Sequence, residues 1–247
     1  MTVPRLVLQH ARLIILSFLR SLAYLIPTLI MPALFYSVFA LSRAHGQNEA
    51  RIYLASYAAF SVVGVSLFQF GAGIAIERQS PWERTMRLLP VGASTRIVAR
   101  LLASLFFCSL SLVCLFFIAG SFGSIQPSPS LYMRLTIGLL TGIIPITLLG
   151  ISLGYWVEAK SALPICNAIY FPLAYLGGLF GPLTQLQTPL ARLSYFLPTR
   201  HFAEIVWASV LGQGFPLTSI LALTAFSVLF AASAFVGYER DYAQRYG

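Results

Sequence analysis

The chain has 247 residues, 58% of them hydrophobic and 9% charged, with a formal net charge of +9 and a mean hydropathy of +0.81. Soluble domains carry about a quarter charged residues, so a water-soluble globule of this composition is excluded, as is a disordered chain. Three cysteines (Cys108, Cys114, Cys166), all within apolar runs, exclude a disulfide scaffold, and what remains is an all-α integral membrane protein.

Residues 5–20 read as an amphipathic helix lying at the membrane interface. Arg5, Gln9, Arg12 and Arg20 fall on one face, and Leu6, Leu13, Ile14 and Phe18 lie largely away from it. Six apolar stretches follow, at 22–42, 52–76, 97–119, 135–157, 163–183 and 217–238. Each is long enough to cross a hydrocarbon core of about 30 Å as a helix. A helix satisfies its own backbone in lipid, and runs such as 110–118 lack the alternation of a membrane strand.

The loops give the orientation. With the amino terminus inside, the inner segments carry Arg5, Arg12, Arg20, Arg78, Arg84, Arg87, Arg96, Arg100, Lys160, Arg240 and Arg245. The outer segments carry only Arg43, Arg51, Arg134, Arg192 and Arg200. This asymmetry puts both termini in the cytoplasm of a multi-pass cell (inner or plasma) membrane protein. It also explains the net charge without nucleic acid, because the arginines sit at span ends rather than on one polar face.

Two connections hold more than a linker needs. Between spans two and three, Ser80 is a candidate N-cap, Pro81 suits the first turn, Glu83 completes a capping box and Pro90 stops the helix. A short helix over 80–89 is therefore expected, carrying Trp82, Glu83, Arg84 and Arg87 just after Glu77 and Arg78. It serves either as a docking surface for another protein or as an interfacial anchor. Between spans five and six, residues 184–212 are too apolar for a solvated loop and are broken at Pro198. Two short helices re-entering the outer leaflet are expected there, tolerated only where protein or a water-filled cavity covers them. Glu204 would sit at that depth, either paired with Arg200 four residues earlier or acting in transport.

Within the spans, Gly138/Gly142, Gly150/Gly154 and Gly177/Gly181 have the spacing that lets helices approach closely. Tyr170, Phe171, Tyr175 and Phe180 line the fifth span, either for packing or along a substrate path. No phosphate-binding G-x-x-x-x-G-K-[ST] motif is present, and no H-E-x-x-H; His10, His45 and His201 lack acidic partners at metal-ligand spacing. The seven acids lie at span ends or in loops, which disfavours a proton-coupled carrier. The chain is thus expected to be no enzyme, to bind no metal or cofactor itself, and, if it moves a substrate, to take its energy from elsewhere.

The order and spacing of several segments along six spans resemble the membrane subunit of a type-2 ABC exporter. These are the basic helix 5–20, the run from Pro27 to Tyr36, Glu77 with Trp82-Glu83-Arg84 and Leu88-Leu89-Pro90, and Gly177 to Leu183 leading to Leu197–Phe202. The resemblance covers nearly the whole chain. It implies a permease that pairs with a second permease chain as a homo- or heterodimer. A separate ABC ATP-binding subunit, holding ATP and Mg, would dock on the loop helix through Glu77, Trp82, Glu83, Arg84 and Arg87. It further implies that Phe68, Phe171 and Tyr175 line a substrate path, and that 184–212, with Pro198, Arg200 and Glu204, forms an outer gate. The expected cargo is hydrophobic or amphipathic: a drug, antibiotic or lipid-like molecule. The competing expectations are a non-transporting membrane scaffold or sensor and, more remotely, an intramembrane enzyme.

Overall fold

The computed structural model describes residues 3–44, 46–80, 93–122, 128–181 and 188–246. Among them every regular element is a helix. In chain order these are α1 (Val3–Leu19), α2 (Leu22–Arg43), α3 (Gln47–Gln79), α4 (Ala93–Phe122), α5 (Pro129–Trp156), α6 (Ala159–Leu176), α7 (Thr188–Ser194), α8 (Pro198–Leu211) and α9 (Leu217–Tyr246). Five of them, α2, α3, α4, α5 and α9, are long and apolar enough to cross a membrane. The chain is a multi-pass membrane protein. The stretch read as the fifth span forms α6, which has only 18 residues, includes Lys160, Pro164, Asn167 and Pro172, and is not among the five. Most of the expected loop helix, 81–89, and residues 184–187 of the expected re-entrant segment lie outside the described residues.

Helix α3 is the axis of the bundle. In its most apolar stretch 89% of residues are buried, against 28%, 22% and 17% in α2, α4 and α9. A helix hidden on all sides must present small or well-fitted side chains all round, and Ala55, Ala58, Ala59, Ser61, Gly64 and Gly71 do so. Helix α5 packs along α3 at one half of its length and against α8 at the other, with α9 beside it. Glycines set both approaches. A Cβ at Gly150 would lie 2.5 Å from the Ser66 carbonyl and one at Gly154 2.7 Å from the Phe70 carbonyl, both on α3. Gly138 faces Ser209, and Gly142 receives the ring of Phe202, both on α8. Helix α1 lies against α4 through Ala11, Ile14, Ala99 and Ala103, leaving Arg5, Arg12, Leu8 and Leu13 exposed.

Prolines in α2 create backbone acceptors that the bundle must satisfy. Pro32 has no N–H, so the Thr28 carbonyl four residues earlier loses its helical donor. The chain widens there into a π-type turn over Ile26–Ile30. Ser61 Oγ of α3 donates to the Thr28 carbonyl (3.2 Å), and the Tyr170 hydroxyl of α6 lies within bonding distance of the Pro27 (3.2 Å) and Phe60 (3.1 Å) carbonyls. Tyr170 is fully buried and stacks on Phe60 at 4.4 Å, so one side chain ties α2, α3 and α6.

Replacing Gly142 with alanine should drive a methyl into the Phe202 ring and lower stability by about 1–3 kcal/mol. Gly120, in the exposed end of α4, has nothing within 4 Å of a built Cβ, and the same substitution there should be neutral or stabilising. Thermal unfolding of both variants in one detergent checks the contrast.

Candidate functional site

Among the described residues, the densest arrangement of charge lies where α3 ends, at the base of the connection to α4. Residues 77 and 78 are neighbours on a helix, so their side chains leave it about 100° apart. Glu77 pairs with Arg100 of α4, and Arg78 pairs with Asp241 of α9. Arg78 Nη2 also donates to the Val157 carbonyl between α5 and α6 (2.8 Å), and the Ala159 amide donates to Gln79 Oε1 (3.3 Å). Three consecutive side chains thus attach the end of α3 to α4, α9 and the α5–α6 turn. The Arg78 and Asp241 side chains are 13% and 10% exposed, whereas that of Glu77 is 47% exposed.

Arg100 is held from both sides. Helix α3 runs through a π-type turn at Leu67–Ala72, where the Gly73 amide bonds the Phe68 carbonyl, five residues back. Arg100 Nη1 donates to the neighbouring Gln69 carbonyl (2.6 Å) while Nη2 meets Glu77. Ser104, one turn further along α4, donates to Gln69 Oε1 (2.7 Å). Room for the guanidinium comes from Gly73, where a Cβ would lie 3.1 Å from Arg100 Nη1. Beyond Asp241, Arg240 lies over the Trp156 ring (5.4 Å) and Trp156 Nε1 donates to the Ser233 carbonyl (3.2 Å), binding the ends of α5 and α9.

Of the five residues expected on a partner-docking surface, Glu77 is described, and its carboxylate faces Arg100 of its own chain. Trp82, Glu83, Arg84 and Arg87 lie outside the described residues. The three expected path residues touch one aromatic cluster but share no surface. Phe68 is buried edge-on to Tyr170 (5.7 Å), Phe171 is half-buried beside Tyr170 (5.2 Å), and Tyr175 is exposed at the rim near Phe180 (6.5 Å).

At the opposite end of the bundle, 188–211 forms two short helices, α7 and α8, that turn at Tyr195–Leu197. Pro198 occupies the first turn of α8 and is buried. Thr199 Oγ1 donates to the Leu173 carbonyl (2.7 Å) in a space that Gly177 leaves open. Arg200 Nε donates to Glu204 Oε1 (2.7 Å), and Ser219 Oγ of α9 donates to Glu204 Oε2. The Arg200–Glu204 pair anticipated from spacing is formed, and Glu204 is also tied to α9. His201 Nε2 donates to the Tyr195 carbonyl (3.0 Å), closing the turn. Among the described residues no group of His, Cys, Asp and Glu is arranged to hold a metal ion.

Sequence reading counted Arg78 and Arg100 only as inner-loop charges and passed over Asp241 and Gln69. A usable signal existed for one of them: Arg100 lies inside the 97–119 apolar stretch, and a charge there needs a partner. No sequence spacing relates Arg78 to Asp241, which are 163 residues apart.

Removing the Asp241 carboxylate by Asp241→Ala should cost about 3 kcal/mol, because it takes the opposing charge away from a nearly buried guanidinium. Adding Arg78→Leu should recover part of that loss. Glu77→Gln leaves an amide oxygen for the nearly buried Arg100 to bond and should cost less, about 1–2 kcal/mol. Unfolding midpoints of the three variants test this order.

No protein-family model matches the chain. It is 28% identical over 216 residues, 86% of its length and 88% of the relative's, to a Bacillus subtilis (strain 168) protein named "Putative transport permease YvfS". Likeness to a transport permease along nearly the whole chain bears out the permease resemblance drawn from the sequence.

Proposed function

We propose that the chain is the permease subunit of an ATP-driven exporter, crossing the cell membrane six times with both termini in the cytoplasm. In this reading α6 is the remaining span, α1 is the interfacial helix, and α7–α8 re-enter from the outside. A separate ABC ATP-binding subunit, which holds ATP and Mg, docks on the 80–89 connection. A second permease chain completes the path. The cargo is hydrophobic or amphipathic, and the chain itself does no covalent chemistry.

The observation that carries this reading is the divergence of Glu77 and Arg78 at the base of that connection. A motor biases a membrane domain between two states only through contacts that differ between them. A push on a free loop would be lost in loop motion. Here the loop's first anchor is joined to α4, α9 and the α5–α6 turn, so displacement of 80–89 is delivered to most of the bundle at once. Arg100, on the far side of the connection, meets Glu77 on the near side, so the connection is closed at its base. The likeness to a transport permease supports the same assignment. In the outer half, α8 with its Arg200–Glu204–Ser219 contacts would form the gate, and Phe171 and Tyr175 would border the path beside the buried Phe68.

The test is to replace Glu83 and Arg84 together with alanine and assay the ATP-binding partner. The variant should fold, lose at least half of partner co-purification and lose stimulation of its ATPase activity. Unchanged values in both assays remove the docking role. A wild-type chain that captures no ATPase would instead indicate a scaffold or sensor.

A further inference from the structure

We propose that the notch between α5 and the end of α8 is a docking site for one phospholipid, with Arg134 contacting the phosphodiester and the exposed face of α5 taking an acyl chain. The notch is a cavity of about 250 Å³ lined by Arg134, Ile137, Ser209, Gly212, Gln213 and Phe215. That is room for about eight water volumes, ample for a headgroup phosphate.

Depth places it. Trp156 closes the other end of α5, exposed and stacked with Arg240 as an interfacial aromatic would be. Arg134 is 22 residues earlier on the same helix, about 33 Å away at 1.5 Å per residue. With one interface at Trp156, a hydrocarbon core of about 30 Å puts Arg134 at the opposite headgroup layer.

Charge and shape agree with that depth. Arg134 is exposed, and among the described residues no side-chain hydrogen bond or ion pair engages it. Its guanidinium lies over Gly212, where a Cβ would come within 2.6 Å of Nη1, so the absent side chain keeps the notch open. Gly212 has φ +72°, the left-handed conformation that ends α8, and this turn swings Gln213 and Phe215 round to the notch wall. A guanidinium is the group best matched to two phosphate oxygens. Beneath it Ile137, Leu140 and Ile144 are 47%, 51% and 62% exposed and follow one another along one face of α5. An arginine that merely reached for water would need neither the apolar wall nor this strip below. Arg192, also exposed and in the last turn of α7, is not among the residues that line this notch and serves as the control.

The test uses the full chain in nanodiscs of phosphatidylglycerol and phosphatidylcholine, transferred to detergent and weighed by native mass spectrometry. Wild-type protein and Arg192→Gln should retain one phosphatidylglycerol, and Arg134→Gln should retain it roughly ten-fold less, as expected for loss of a charge-assisted contact. Equal retention by Arg134→Gln overturns the proposal. So does displacement of the lipid by millimolar inorganic phosphate, which would mark a free-anion site. A second measurement on wild-type protein needs no folded variant. Photoactivatable phosphatidylglycerol should crosslink chiefly within 129–144 and 209–215, and even labelling of all lipid-facing helices would overturn the site.

Discussion

A polar group inside hydrocarbon has no water to fall back on, and that constraint organises this molecule. The two prolines of α2 and the π-type turns of α2 and α3 disturb backbone hydrogen bonding in the middle of the bundle. Side chains from neighbouring helices fill the gaps: Ser61 and Tyr170 serve the Thr28 and Pro27 carbonyls, and Arg100 serves the Gln69 carbonyl. Each such bond also fixes one helix against another. Irregular backbone, costly in lipid, thereby becomes the means by which α2, α3, α4 and α6 are held in register.

The same constraint sorts the charges. Arg78, Arg100 and Asp241 are all nearly buried at one end, and each has its partner on a different helix. Single exposed ion pairs hold little energy, but a nearly buried charge that loses its partner is expensive, so these contacts resist being pulled apart. In the proposed cycle this makes the base of the 80–89 connection a stiff joint rather than a hinge. The Arg200–Glu204–Ser219 group plays the corresponding part at the other end, where it secures α8 to α9. Between the two, the glycines of α5 allow contact close enough that α3 and α8 bear directly on its backbone.

Much of this was legible in the sequence because the signals are local. Apolar runs of span length, the glycine pairs of α5, the break at Pro198 and the i,i+4 relation of Arg200 and Glu204 are each contained within one segment. The neck at Glu77 and Arg78 was not legible, since its partners lie 23 and 163 residues away and only packing brings them together. Glu77 shows the difference well. The resemblance assigns it to the docking surface from its own segment alone, whereas the bond of its half-exposed carboxylate to Arg100 is visible only in the fold. Helix α6 blurred for another reason: Lys160, Asn167 and two prolines dilute its apolar character, although its stripe of Ala162, Cys166, Tyr170 and Ala174 is buried.

Sidedness decides whether the joint at Glu77 and Arg78 can receive a push from a cytoplasmic motor. The direct measurement is impermeant maleimide labelling of Met86→Cys, in a chain whose Cys108, Cys114 and Cys166 are replaced, compared between intact cells and inverted membrane vesicles. Labelling confined to inverted vesicles is the expected result. Labelling of intact cells would put the connection on the outside and contradict the account.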